Sequence, residues 1–170
     1  MTDFEESGMK ITLPDNDCFR FEDITALSNI RNKGLKDMDF GWWDNSKNVL
    51  FLLEVKETSD PSSYETAIVE KVVDTLLTLS ASWIPTLRGK SIARELPSSC
   101  QSFLNPPHKL QIVIIFKIQR TNIQGLHTLQ DSVRNKLEGK VKLFDMVRNS
   151  VKLMDISTAI NFQFPVIQHP

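Results

Sequence analysis

The sequence has little cysteine. Cys18 and Cys100 are its only two cysteines, and they stand far apart without a Cys-x-x-Cys pattern. Disulfide frameworks and structural zinc sites need several cysteines at short, recurring spacings. The sequence therefore argues against both kinds of scaffold, and we expect two reduced thiols.

A long apolar run is also lacking. No segment approaches the roughly 18 consecutive apolar residues that a membrane-spanning helix needs. The acidic segment from Met1 to Glu6 does not resemble the basic and apolar regions of a signal peptide. The composition, with 41% hydrophobic and 24% charged residues, is close to that of globular proteins. We therefore expect residues 1–170 to form a single cytoplasmic domain that has no membrane partner.

An excess of positive charge is missing as well. The 20 Lys and Arg residues are balanced by 21 Asp and Glu residues, which gives a formal net charge of -1. Nucleic-acid-binding domains usually carry a basic excess, so a uniformly phosphate-binding surface is disfavoured. A local basic patch would still suffice, and one candidate patch is Arg88, Lys90 and Arg94.

The N-terminal part of the chain carries two local patterns. Alternating apolar residues predict a short strand from Met9 to Leu13, and the polar residues after it favour a turn. Apolar residues then recur at helical spacing, at Phe21, Ile24, Leu27 and Ile30. This spacing predicts a first helix, which Asn32 and Gly34 would end.

A β-hairpin is predicted next. Phe40 and Trp42 follow Asp39 with the alternation of a strand. A polar run from Asp44 to Lys47 then favours a turn, and Val49 to Val55 is almost entirely apolar. Two antiparallel strands joined by that turn are the expected structure.

A helix should follow the hairpin. Ser62 and Glu65 stand three residues apart, which is the spacing of a capping box at the start of a helix. Apolar residues then continue at helical spacing as far as Trp83, and Pro85 would end the helix.

The C-terminal half completes an α/β pattern. From Pro85 to His108 the chain is rich in Pro, Ser and Gly, so a long loop is expected, with a short helical turn as an open alternative within it. Leu110 to Ile118 reads as a strand buried on both sides. Helical spacing resumes from Leu126 to Phe144, with Gly139 a possible break, and Ser150 to Ser157 predicts a last strand. These elements predict a three-layer α/β/α sandwich with a mixed central sheet.

The strongest indication of chemistry is a group of three polar residues on the hairpin. Glu54 and Lys56 are two apart, so in a strand their side chains share one face. Asp39 lies on the preceding strand, and the turn brings the strands together. Two carboxylates near one lysine suit phosphodiester hydrolysis. Asp39, Glu54 and the carbonyl of Val55 would hold Mg²⁺ or Mn²⁺, and Lys56 would orient water or offset charge.

Asp39, followed after fourteen residues by Glu54-Val55-Lys56, resembles the PD-(D/E)XK motif of restriction-endonuclease-like nucleases. The order helix, hairpin, helix and strand also agrees with that superfamily from about Phe21 to Ile118. Met38 stands where the motif has proline. The resemblance implies a restriction-endonuclease-like fold, a metal-dependent nuclease activity and DNA rather than RNA as substrate; a homodimer is compatible with it.

Several other residues have alternative roles. Asp37 and Asp44 compete with Asp39 as the first acid of the motif. Glu22 resembles the additional metal ligand that many members of the superfamily draw from the first helix. Glu65 and Lys71, on the helix after the motif, are expected to be surface charges.

Two rival functions remain open beside the nuclease. One is a domain of the same fold that has lost cleavage and binds nucleic acid or a protein. The other is an unrelated α/β interaction protein, in which Glu54 and Lys56 form an ordinary ion pair and Asp39 lies far from Glu54.

Overall fold

The computed structural model of the chain describes residues 1–101, 109–118, 123–164 and 166–168. Within these ranges the strands are β1 (Thr2–Glu6), β2 (Met9–Leu13), β3 (Cys18–Arg20), β4 (Phe40–Asp44), β5 (Val49–Glu57), β6 (Lys109–Lys117), β7 (Val151–Asp155) and β8 (Val166–Gln168). The α-helices are α1 (Ser28–Arg31), α2 (Glu65–Trp83), α3 (Leu87–Glu95), α4 (Ile123–Lys142) and α5 (Ile156–Asn161). None of the helices described is long and apolar enough to cross a membrane.

The main sheet is mixed, as predicted. Its strand order is β3-β4-β5-β6-β7. The pairs β3/β4 and β4/β5 are antiparallel, whereas β5/β6 and β6/β7 are parallel. Parallel neighbours need a crossover connection, and here α2 with α3 joins β5 to β6 while α4 joins β6 to β7. The chain is therefore a mixed α/β protein in which β5 separates the antiparallel and parallel halves of the sheet.

Strand β5 contributes to a hydrophobic core on each face of this sheet. Leu50 and Leu52 pack with apolar residues of α2 and α4 on one face. Phe51, Leu53 and Val55 pack on the other face. Side chains alternate across a strand, so an apolar strand between two layers buries both sets. The same holds for β6, where the predicted strand with two buried faces is confirmed.

A second, smaller sheet covers the face opposite α2 and α4. Its strand order is β1-β2-β8. Met9, Ile11 and Leu13 alternate along β2, and all three are fully buried against the main sheet together with residues of α5. The predicted strand from Met9 to Leu13 is confirmed, but the layer on this side is formed by strands and one short helix where helices were expected.

The hairpin and the helix after it form as predicted. Strands β4 and β5 pair in register from Phe40–Leu53 to Asp44–Val49. Helix α2 extends to Trp83, but a capping box does not open it. Asp60 accepts from the backbone N–H of Ser62 at 3.0 Å, and a 3-10 turn leads into the helix. Glu65 instead forms an ion pair with Lys136 of α4 at 3.2 Å.

The expected loop after Pro85 contains more than a short helical turn: Leu87–Glu95 is a helix of nine residues, so the prediction of a loop was wrong there. The side chain of Thr86 accepts from the backbone N–H of Gly89 at 2.9 Å and begins α3, and Ile92 is buried against the core. Among residues 96–101 the structure has a 3-10 turn at Ser98–Cys100, and residues 102–108 of the predicted loop lie outside the described residues.

The expected first helix is broken into three pieces. Two 3-10 turns, Phe21–Asp23 and Thr25–Leu27, precede α1. Ile24 between the turns has extended backbone angles (φ -72°, ψ 100°), which interrupts the helical hydrogen bonds. The side chain of Glu95 on α3 accepts the backbone N–H of Thr25, at 2.6 Å, so a tertiary contact supplies a partner that a continuous helix would have provided.

Two helical glycines make a matched test of this packing. A Cβ atom on Gly89 would collide with the carbonyl oxygens of Ala81 and Ile84, whereas a Cβ on Gly139 would have open space. Backbone oxygens cannot move aside like the end of a side chain. Gly89→Ala should therefore lower the free energy of unfolding by roughly 1–3 kcal/mol, and Gly139→Ala should raise it by roughly 0.5–1 kcal/mol. Urea unfolding would measure both; equal effects would show that α3 does not pack on the end of α2.

Candidate active site

The candidate site lies at the end of the β4/β5 pairing, where β4 begins and β5 continues past its last β4 partner. The last pair of the β4/β5 register is Phe40–Leu53, and the backbone N–H of Asp39 donates to the carbonyl of Leu53 at 3.1 Å. Val55 consequently has no β4 residue opposite it. Asp39 Oδ2 accepts from the backbone N–H of Val55 at 2.8 Å. Asp39 therefore takes the place of a strand partner, and its side chain is fixed against β5.

Glu54 is buried on the face of β5 that α2 covers. Its exposed fraction is 1%. Glu54 Oε1 lies 2.9 Å from Lys56 Nζ and 2.7 Å from Lys71 Nζ. Lys71 Nζ also lies 3.5 Å from Asp39 Oδ1. One ammonium group thus bridges the two carboxylates, and we call Asp39, Glu54, Lys56 and Lys71 the carboxylate–lysine cluster.

The prediction that Lys71 is a surface charge was wrong. Lys71 stands three residues after Ile68 and four before Thr75, both of which are buried on the face of α2 that packs on the sheet. Residues at this spacing lie side by side on a helix. Thr75 in turn accepts from the backbone N–H of Met38 at 2.9 Å, just before Asp39. The position of Lys71 on the apolar face of α2 indicates that its charge needs a partner, but it does not identify that partner.

Burial dominates the electrostatics of Glu54. Desolvation and the nearby charge of Asp39 raise the pKa of Glu54 to about 7, although Lys71 and Lys56 act in the opposite direction. Burial alone would lower the pKa of Lys56, but the charge and hydrogen bond of Glu54 outweigh it, so the pKa of Lys56 is raised. Within the described part of the chain, Glu54 Oε2 is buried and has no hydrogen-bond partner. The cluster therefore places two lysines around the Glu54 carboxylate, and one oxygen of that carboxylate, Oε2, accepts no hydrogen bond from the described residues.

A small cavity opens beside the cluster. It has a volume of about 200 Å³, and Asp39 and Lys71 line it together with Asp37, Arg31, Arg20 and Glu22. Glu22, the candidate additional ligand, stands at this cavity but is paired with Arg20 at 2.7 Å and has 61% of its side chain exposed. Glu22 is therefore near the cluster without contacting it.

The structure separates the three candidates for the first acid. Asp44 lies at the far end of β4, where Oδ1 accepts from the backbone N–H groups of Ser46 and Lys47 in the hairpin turn. Asp37 is buried and pairs with Arg31 at 2.7 Å, and this burial raises the pKa of Asp37 despite the charge of Arg31. Asp39 is the candidate that shares a lysine with Glu54.

The oxygen set available to a metal ion is small. Among the described residues there is no group of three or more His, Cys, Asp or Glu side chains arranged to hold a metal. Asp39 and Glu54 supply two carboxylates. The carbonyl of Val55, proposed as a third ligand, accepts from the hydroxyl of Ser7 at 3.2 Å. A metal at this site would therefore have two carboxylates, one carbonyl and water.

The three basic residues of the expected loop lie on α3 and are exposed. Arg88 donates to the carbonyl of Ala26 at 2.9 Å, which ties it to the segment before α1. Lys90 and Arg94 are four residues apart and therefore share another face of the helix. The structure thus does not bring Arg88, Lys90 and Arg94 together as one patch.

Comparison of the chain with protein-family models, with curated proteins and with solved structures gave no match. The arrangement of the carboxylate–lysine cluster and the order of the elements around it are therefore the basis for the function proposed below.

The buried carboxylate of Glu54 predicts an unusual pH dependence of stability. A folded pKa near 7, above the ordinary value of 4.5, means that the folded chain holds a proton that the unfolded chain has lost between those pH values. Wild-type stability should therefore fall across this window as pH rises. Glu54→Gln lacks this titration, so its stability relative to wild type should rise between about pH 4.5 and 7, by roughly 1–3 kcal/mol.

Urea unfolding at a series of pH values, with chelator present, would measure this difference. Glu57→Gln is the matched control, because Glu57 lies on the same strand but is exposed. A stability difference between Glu54→Gln and wild type that stays constant with pH would contradict the assigned electrostatics.

Proposed function

We propose that this chain is a divalent-metal-dependent nuclease that hydrolyses phosphodiester bonds of nucleic acid. The observation that carries the proposal is the shared contact of Asp39 and Glu54 with a single ammonium group, directly beside Lys56. Two carboxylates that converge on one cation, with a second lysine at hand, meet the requirements of metal-assisted attack on a phosphodiester.

The topology supports a restriction-endonuclease-like fold for the chain. The hairpin β4/β5 carries the motif residues, α2 crosses over, and β6 returns parallel to β5. This order agrees with the one that the motif resemblance implies. The proposal therefore joins a motif to the secondary-structure context that the motif requires.

The donor chemistry of the site fits a hard divalent cation. Mg²⁺ and Mn²⁺ prefer oxygen ligands, and Asp39 Oδ1, the Glu54 carboxylate and the Val55 carbonyl are all oxygens. Glu54 Oε2 is a buried acceptor without a partner among the described residues, which is costly unless something binds it. A divalent cation bound through both oxygens of the Glu54 carboxylate would give Oε2 a partner as well as Oε1.

Each residue of the motif then has a distinct task. A bound divalent ion would supply a water molecule acidified enough to attack phosphorus at neutral pH. Asp39 is held in place by its hydrogen bond to Val55, and Glu54 by burial under α2. Lys56, whose side chain is 25% exposed, can reach both the cluster and solvent. Its ammonium would orient the attacking water and offset the charge that develops on the phosphate oxygens.

The substrate assignment rests on the motif resemblance, which favours DNA over RNA. With a net charge of -1, contacts to phosphates would be local. Lys90 and Arg94 on the exposed face of α3 are the proposed phosphate contacts, while Arg88 is engaged by Ala26.

The direct test is cleavage of single- and double-stranded DNA and of RNA, with Mg²⁺ or Mn²⁺. Lys56→Met should lower the cleavage rate at least about 100-fold, because the lost ammonium acts on the transition state. Lys47→Met is the matched control, since Lys47 lies 65% exposed on the hairpin turn, and its rate should stay at the wild-type value. Equal rates for Lys56→Met and wild type would contradict the assigned role of Lys56.

A second candidate is a nuclease-fold module that binds nucleic acid or a protein without cleaving. One observation favours it, namely that the ammonium of Lys71 provides a counter-charge for both carboxylates. Nucleic-acid binding without cleavage under either metal would support this candidate. An unrelated fold with an ordinary Glu54–Lys56 pair is disfavoured, because that account requires Asp39 to lie far from Glu54.

A further inference from the structure

Lys71 stands between the oxygens that the proposed function assigns to a metal ion. Its ammonium is 2.7 Å from Glu54 Oε1 and 3.5 Å from Asp39 Oδ1. Metal–oxygen bonds are about 2.0–2.6 Å long, so a metal bound to both carboxylates would lie at nearly the same position. Two cations cannot share that position, because they would overlap and repel each other.

A second acceptor for the Lys71 ammonium exists across the adjoining cavity. Lys71 and Asp37 both line this cavity of about 200 Å³. Only 6% of the Asp37 side chain is exposed, and its Oδ1 has no hydrogen-bond partner within the described part of the chain. A buried carboxylate oxygen without a donor is costly. Asp37 Oδ1 can therefore accept a hydrogen bond from a cationic side chain that moves into the cavity.

The neighbouring arginines are already engaged and cannot fill this role. Arg31 donates through Nε to the other oxygen of Asp37, and its remaining nitrogens donate to backbone carbonyls of residues 21, 22 and 24. Arg20 is held between Glu6 at 2.5 Å and Glu22 at 2.7 Å. Of the basic side chains that line the cavity, Lys71 is the one whose present partners a metal would take over.

We propose that Lys71 is a positioning residue with two alternative partners: it bridges Asp39 and Glu54 when no divalent cation is bound, and it pairs with Asp37 when one binds. This inference rests on the proposed function. In the first state Lys71 keeps the two carboxylates together despite their mutual repulsion. In the second state Asp37 compensates the displaced ammonium, so that metal binding does not leave a half-buried positive charge unpaired.

The first consequence concerns metal affinity. Displacing Lys71 weakens the apparent affinity of the site, because part of the binding free energy is used to move it. Lys71→Met should therefore bind Mn²⁺ more tightly than Lys56→Met, by about tenfold or more in calorimetric titrations. The comparison is matched, since each variant removes one positive charge within 3 Å of Glu54 Oε1. Lys56, however, does not bridge to Asp39.

The second consequence concerns Asp37. Asp37→Asn should weaken Mn²⁺ binding several-fold in the wild-type background, because the displaced ammonium loses its charged partner. The same substitution should have no such effect in the Lys71→Met background. Asparagine still offers Arg31 an acceptor, and thermal unfolding of each variant would verify that it is folded. The ¹³Cε resonance of Lys71 in the wild-type chain, assigned by its loss in Lys71→Met, should also shift when Mg²⁺ saturates the site.

The outcomes separate this inference from the proposed function. If Lys71→Met and Lys56→Met tighten Mn²⁺ binding equally, or if Asp37→Asn acts equally in both backgrounds, the two-partner role is overturned while the metal site stands. If neither wild type nor any variant binds Mn²⁺, the inference and the proposed function both fail. Mn²⁺ binding by Lys71→Met but not by wild type would support the displacement of Lys71.

Discussion

The burial of the Glu54 carboxylate beneath α2 is the constraint on which the site depends. An ionised carboxylate removed from water costs several kcal/mol unless cations and hydrogen-bond donors surround it. Lys56 and Lys71 provide that surrounding from two different elements, β5 and α2. The cluster therefore couples the position of α2 to the end of β5, and a helix that serves the core also completes the site.

The change from antiparallel to parallel pairing at β5 explains why the site forms where it does. Strand β4 ends its pairing at Phe40, but β5 remains paired with β6 as far as Glu57. The β4-facing edge of β5 is therefore open beyond Leu53, and its backbone groups need other partners. Asp39 accepts a hydrogen bond from the N–H of Val55, and the hydroxyl of Ser7 donates to the carbonyl of Val55. The unpaired edge of β5 needs polar partners, and polar side chains therefore lie beside it.

Strand β7 forms the other described edge of the parallel half of the sheet, and side chains of one helix bind its backbone groups. On β7, the carbonyl of Val151 accepts from Arg134 Nε at 2.8 Å, and the N–H of Leu153 donates to Gln130 Oε1 at 3.0 Å. Both side chains come from α4, so the helix closes this edge against pairing with another strand. The open edge beside Glu54 is thus a local feature of the site rather than a general property of the sheet.

Sequence patterns were sufficient for the elements that carry the motif. The alternation around Phe40, the apolar run of β5 and the helical spacing of α2 predicted the hairpin and its crossover helix, because burial imposes these periods locally. The two-residue spacing of Glu54 and Lys56 likewise placed both side chains on one face, and the structure adds that Asp39 joins Glu54 through Lys71.

The errors arose where contacts between distant segments decide the structure. Helix α3 begins at a Thr86 cap inside a segment whose Pro, Ser and Gly content favoured a loop. The first helix is interrupted at Ile24, and Glu95 from α3 supplies its neighbour Thr25 with a partner. Lys71 was missed because the helical period does not tell which residue on the face of α2 lies above Glu54. That position depends on the crossover geometry, which no single segment encodes.

The central claim is that Asp39 and Glu54 form one cation site, and anomalous diffraction from Mn²⁺-soaked crystals tests it most directly. We expect a single strong anomalous peak with oxygens of both carboxylates at about 2.0–2.6 Å. A chain saturated with Mn²⁺ in which Lys71 still bridges the two carboxylates, and in which no peak lies between them, would contradict it.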